Sequence, residues 1–147
     1  MFHPTRTLHR FFVGALSAAA LAAAFGMGAV MGQQLMPATK VTALMKQAIP
    51  EYPGHEVMML TLDIPPGGGS MPHRHPGHHI FGYVLEGAYK IKLDDGTEKT
   101  LTAGETFYEA PGQLHAVSRN ASETAPAKVL AVILAESGKP VTVPVQR

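Results

Sequence analysis

The chain has 147 residues, a length that suits one compact domain and leaves no room for two separate cores. It carries 12 basic against 11 acidic residues, net +1, so no basic excess exists to release counterions from DNA or RNA, and nucleic acid is disfavoured as a partner. Cysteine is absent, which excludes disulfides, cysteine–zinc sites, iron–sulfur clusters and thiol nucleophiles.

The apolar residues are concentrated at the start. Arg6 and Arg10 precede an uncharged, alanine-rich run over residues 11–31, and the first acidic residue is Glu51. A basic start before an apolar run reads as an export signal. Val30 and Gly32 suit the −3 and −1 positions of a cut before Gln33. The run is also long enough to remain as a single-span anchor, or to form a buried helix of the domain. Arg6 and Arg10 are not adjacent, so a twin-arginine route is not indicated. The expected division is therefore a signal peptide or membrane anchor over 1–32 and a domain over 33–147. The location is exported, periplasmic or extracellular, with membrane contact only if the segment is uncleaved.

Beyond Gln33 the pattern is one of strands. Residues 41–49 are ambiguous between strand and helix. Residues 56–64 read as a strand that stops at Pro65, Pro66 and the glycine run 67–69. That run lacks the Lys-Ser/Thr of a phosphate loop. Strands are expected at 80–86, 89–93, 98–101, 106–110 and 115–119. Asp94, Asp95 and Gly96 form a hairpin turn, and further turns fall at Gly104 and at Pro111-Gly112. Residues 128–135 are continuously apolar, as suits a strand buried on both faces. Residues 141–145 form a weak last strand that Pro144 confines to an edge. Many short strands with Gly/Pro turns between them indicate an all-β sandwich or barrel.

Histidine is the chemical signal. His73, His75, His78 and His79 fall within one short stretch, and His115 follows the later Pro-Gly turn. Imidazole suits zinc, copper, iron and nickel. Residues two apart on a strand share a face, so His73 and His75 can address one point, while a further ligand must come from another strand. A single histidine is more often a surface or hydrogen-bonded residue, and a flexible histidine-rich tract is a further alternative.

The segment from Gly68 to Asn120 resembles the cupin family, whose motifs read G-x5-H-x-H-x3–4-E-x6-G and G-x5-P-x-G-x2-H-x3-N. His73, His75 and Gly87 match the first motif, and Gly104, Gly112 and His115 match the second. Gly67 fits the opening glycine better than Gly68. The proline position holds Ala110, beside Pro111, and the asparagine position holds Arg119, beside Asn120. The acidic position falls on Ile80, which cannot bind a metal. The resemblance implies an all-β, single-domain cupin-type barrel or jelly roll, here preceded by the apolar N-terminal helix. It implies a divalent transition metal (iron, manganese, nickel, copper or zinc) held by His73, His75 and His115. A fourth ligand is expected at His79 from the motif count, or at His78 from strand parity. It also implies a homodimer, with 41–49 and 141–145 as candidate pairing strands.

Other side chains have ordinary and functional readings. Tyr83, Tyr89 and Tyr108 are barrel filling or, alternatively, acids near the metal. Glu105 and Glu109 are expected at the surface, with a general-base role for Glu109 as the alternative. Arg119 is a surface residue or a carboxylate clamp. Parity turns Arg74 outward. Met58, Met59 and Met71 fill core or rim. The expected function is an exported metal-dependent enzyme, dioxygenase-like or related, acting on a small organic molecule. The alternatives are a non-catalytic barrel that holds a metal or small ligand, and a structural barrel without metal.

Overall fold

The computed structural model describes residues 36–145, so the expected signal or anchor and its cut site lie outside the described residues. Within them the chain is all-β. The strands in order are β1 (Lys40–Ala48), β2 (His55–Ile64), β3 (Gly69–Ser70), β4 (His73–Arg74), β5 (His79–Glu86) and β6 (Ala88–Leu93). They continue as β7 (Lys99–Thr102), β8 (Thr106–Glu109), β9 (Leu114–Asn120), β10 (Ala127–Glu136) and β11 (Val143–Pro144).

Two antiparallel sheets form the barrel. One has the order β1-β2-β10-β5-β8, the other β11-β4-β9-β6-β7, with β3 added beside β9. The ambiguous segment 41–49 is a strand, because β1 pairs with β2 along its whole length, from Lys40 opposite Asp63 to Ala48 opposite Glu56. Pro144 sits in an edge strand, where its missing N–H breaks no ladder.

The core lies between the sheets. Ile64, Val84, Tyr89, Ile91, Ala127 and Val129 pack together at one end, and Ile80, Ala131, Ile133 and Ala135 at the other. Strand β10 differs from the sequence expectation. Only Ala127, Val129, Ala131, Ile133 and Ala135 are buried, and the intervening residues are half-buried. The reason is architectural: β10 is the middle of a single barrel wall, with one face to the core and no layer of the described residues over the other.

Gly87 makes the sharp step from β5 to β6 with φ +72, and a Cβ there would lie 2.5 Å from the Pro126 carbonyl oxygen. Only glycine meets both demands. Asp94 takes φ 48 at the expected β6–β7 hairpin, one of the few side chains that tolerates that region.

A candidate metal centre between the sheets

Strand pairing assembles the site. His73 in β4 lies directly opposite His115 in β9, so their side chains leave the sheet on one face. His75, two residues beyond His73, returns to the same face. Arg74 between them is exposed, and its Nη1 donates to the Gly112 carbonyl at 2.7 Å. The Gly112 amide in turn donates to the His75 carbonyl at 3.0 Å. These two bonds tie the Pro-Gly turn before His115 to the His73–His75 backbone.

His73, His75 and His115 are all buried, at 8%, 8% and 2% exposure, and each offers a nitrogen such that the three lie within 4.8 Å of one another. The backbone sets the tautomers. His73 Nδ1 lies 2.8 Å from the Met71 carbonyl and His75 Nδ1 lies 2.6 Å from the Val141 carbonyl. A carbonyl only accepts, so both Nδ1 atoms carry a proton, and in the neutral ring Nε2 is the nitrogen that keeps a lone pair. Burial is the main cause that lowers the His73 pKa, and the neighbouring His115 and His75 add to it, against the Met71 hydrogen bond. His73 is therefore held neutral, the form that binds a cation.

His115 is oriented by Tyr89, whose hydroxyl lies 3.4 Å from His115 Nε2 and 2.7 Å from Ser118 Oγ. Burial pushes the Tyr89 phenol well above its usual pKa, so it stays protonated. Tyr89 thus contacts His115 rather than the cavity.

Glu109 departs most from the sequence expectation. It is 2% exposed, not a surface residue. Its Oε2 lies 3.1 Å from His115 Nδ1 and 3.7 Å from His75 Nε2. The shorter contact is close but misaligned, so neither Glu109 Oε2 nor His115 Nδ1 has a hydrogen-bond partner. Strand parity carried the signal. Phe107 is an apolar residue packed against the core, and Glu109 is two residues further along the same strand.

The histidines at the start of β5 do not join the three. His79 Nδ1 lies 2.7 Å from the Tyr108 hydroxyl, on the partly exposed outer side. His78 is fully buried, but its Nδ1 accepts the Glu136 amide at 3.2 Å and its Nε2 donates to the Pro140 carbonyl at 3.1 Å. Both of its nitrogens are committed to closing the turn after β10. His55 stacks on Tyr52. Tyr83 and Tyr108 are exposed, Arg119 reaches Glu98 at 3.8 Å, and Glu105 is bonded to Thr102. None of these belongs to the buried cluster.

A cavity of about 390 Å³ adjoins His73 and His75. Its walls are largely apolar, with Leu60, Leu62, Ile80, Ile133 and Val141 among them, and no Lys, Arg, Asp or Glu among the described residues lines it. A second cavity, of about 320 Å³ beside β6, β7 and β8, has no histidine or carboxylate among the described residues of its lining. The donor set fits a divalent transition metal: three buried imidazoles converge beside a carboxylate oxygen that has no hydrogen-bond partner.

A two-sheet antiparallel barrel with a histidine cluster on its inner surface defines a class of small β-barrel proteins. The chain belongs to the cupin family, matching the cupin domain over residues 60–133. Its structure is similar to that of an uncharacterized conserved protein with a double-stranded β-helix domain from Klebsiella pneumoniae, at 16% identity over 76% of this chain and 87% of that one, TM-score 0.60. It is similar to oxalate oxidase in complex with the substrate analogue glycolate, at 27% identity over 73% of this chain and 55% of that one, TM-score 0.56. The DMSP lyase of Ruegeria pomeroyi gives 19% identity over 80% of this chain and 57% of that one, TM-score 0.59. This chain thus spans about half the length of the oxalate oxidase and of the lyase. No curated protein matches the sequence.

Proposed function

We propose that this cupin is an exported, metal-dependent enzyme acting on a small organic molecule, with dioxygenase-like or related chemistry. The observation that carries the reading is the convergence of His73, His75 and His115, with their tautomers set by the backbone, beside the 390 Å³ cavity. These three residues hold the metal. A bound divalent ion would supply Lewis acidity, polarising an oxygen donor or lowering the pKa of bound water.

The chain's own residues define what can bind. The apolar walls exclude water and favour a mainly hydrocarbon body. Among the described residues no Lys or Arg lines the cavity, so an anionic group on the substrate would have only the metal to balance it. Ser70, Ser118 and Thr142 supply the polar points of the cavity besides the histidines.

The test is elemental analysis of the protein purified without a histidine tag, against a His73→Ala/His75→Ala double variant. About one metal ion per chain, lost in the variant, is expected. No metal in the parent after reconstitution overturns the reading. A second reading, a non-catalytic metal or ligand carrier, is favoured by the lack of a carboxylate in the cavity lining. Ligands that raise the melting temperature of the loaded protein without being converted would select it.

Export rests on the apolar run 11–31, and N-terminal sequencing of the mature protein should begin at Gln33 if the signal is cut. We further propose a homodimer through the edge strand β1, which leaves Val41, Leu44 and Met45 exposed. Sedimentation at micromolar concentration should give twice the chain mass.

A further inference from the structure

We infer that Glu109 is a ligand of the metal centre, supplied from β8, and that it stands in for the acid missing at Ile80 on β5. The inference rests on the metal-binding reading above and extends it to a residue outside the histidine set.

Three observations converge on Glu109. First, its carboxylate is buried, and among the described residues its only ionic neighbours are His75 and His115. No lysine or arginine among the described residues reaches it. A buried carboxylate without a cationic partner is strongly disfavoured. Secondly, His75 donates its Nδ1 proton to the Val141 carbonyl, so in the neutral ring the Nε2 atom 3.7 Å from Oε2 presents a lone pair rather than a proton. Two electron pairs facing each other in a buried space repel, and a cation between them reverses the sign. Thirdly, Oε2 and His115 Nδ1 both lack a hydrogen-bond partner although they lie 3.1 Å apart. Shared ligation of one ion satisfies both atoms together.

The register explains why the acid can change strands. Glu109 lies directly opposite Ile80 in the β5–β8 ladder. Side chains at such a pair leave the sheet on the same face, with Cβ atoms about 4.5–5.5 Å apart. A carboxylate at either position reaches the same region between the sheets. The result is three imidazoles and one carboxylate rather than an all-imidazole set. An anionic oxygen donor shifts metal preference toward iron and manganese and away from copper.

Cobalt(II) binding to the metal-free protein tests this. The measurements are affinity by calorimetry, the visible spectrum of bound cobalt, and the melting temperature of each metal-free form. The parent is compared with Glu109→Gln and with the swap variant Ile80→Glu/Glu109→Leu. Glu109→Gln is expected to bind cobalt roughly 10–100-fold more weakly, with an altered visible spectrum. Its metal-free form should melt no lower than the parent, because the substitution removes a buried charge. The swap variant should recover most of the lost affinity and restore the parent spectrum. Parent-like affinity and spectrum in Glu109→Gln overturn the inference while the histidine site stands. A large drop in its metal-free melting temperature, with affinity unchanged, makes Glu109 a counterion of a protonated histidine instead. Failure of the parent itself to bind cobalt overturns the metal reading, and this inference with it.

Discussion

Ile80 and Glu109 face each other across the β5–β8 ladder, and both are buried on the inner side of the barrel. One contributes an apolar wall beside the cavity and the other a buried carboxylate beside His75 and His115. This pairing links the histidine cluster to a strand that the histidine spacing does not involve. It also makes the stability of the metal-free protein informative about the site.

A ligand that binds only the folded state stabilises it by mass action, by about 2.7 kcal/mol at a hundredfold excess over Kd. Zinc or cobalt at such concentrations should raise the melting temperature of the parent by several degrees. His73→Ala should abolish that rise, since one of the three converging nitrogens is lost. Scanning calorimetry with and without metal measures both.

Tyr89→Phe should leave the fold intact but cost about 1–2 kcal/mol, because Ser118 Oγ loses its buried partner. The same change removes the hydroxyl beside His115 Nε2. Metal affinity should fall by about tenfold, as for other losses of a partner to a ligating histidine. Paired unfolding and metal-titration curves separate the two effects.

Asn120 is a clasp. Its Nδ2 donates to the Ile64, Pro65 and Ala125 carbonyls, and its Oδ1 accepts the Ser122 amide. Asn120→Leu leaves these groups without that partner and should cost about 2–4 kcal/mol, lowering the melting temperature by roughly 10 °C. Denaturant titration should show the loss with metal absent, because Asn120 is not part of the histidine cluster.

Asp94 should give a pH signature. Its carboxylate accepts the Leu114 amide at 3.0 Å, and that bond, then the Gln113 side chain, then Arg74, lower its pKa. A depressed carboxylate pKa adds stability above the unfolded value of 3.8, and the contribution disappears as pH falls through the lower folded value. Asp94→Asn keeps a side chain that tolerates φ 48 and removes the charge. Its melting temperature should lie slightly below the parent's at pH 7, and the gap should close in strong acid. Thermal melts of both proteins across that range read the gap directly.

The sequence by itself determined most of the strands and the shared face of His73 and His75. Period-two patterning, Asp-Gly and Pro-Gly turns and the His73–His75 spacing are local properties. Turn chemistry and side-chain alternation depend only on neighbouring residues. The resemblance carried the barrel further, and the match over 60–133 agrees with it. Strand parity also placed Arg74 outside correctly.

Tertiary structure decided everything that depends on which strand lies beside which. Residues 128–135 looked doubly buried, but a single-walled barrel leaves one face half open. His78 and His79 looked like candidates for the fourth ligand. Docking of the 137–140 turn bonds one, and the partner strand β8 draws the other to Tyr108. Glu109 looked like a surface acid because most strand carboxylates are solvated. Parity with Phe107 pointed it inward, but its place opposite Ile80 follows from the β5–β8 register, a long-range pairing that no local pattern encodes. A carboxylate lies beside the histidines because of where β8 lies, not because of its distance along the chain from them.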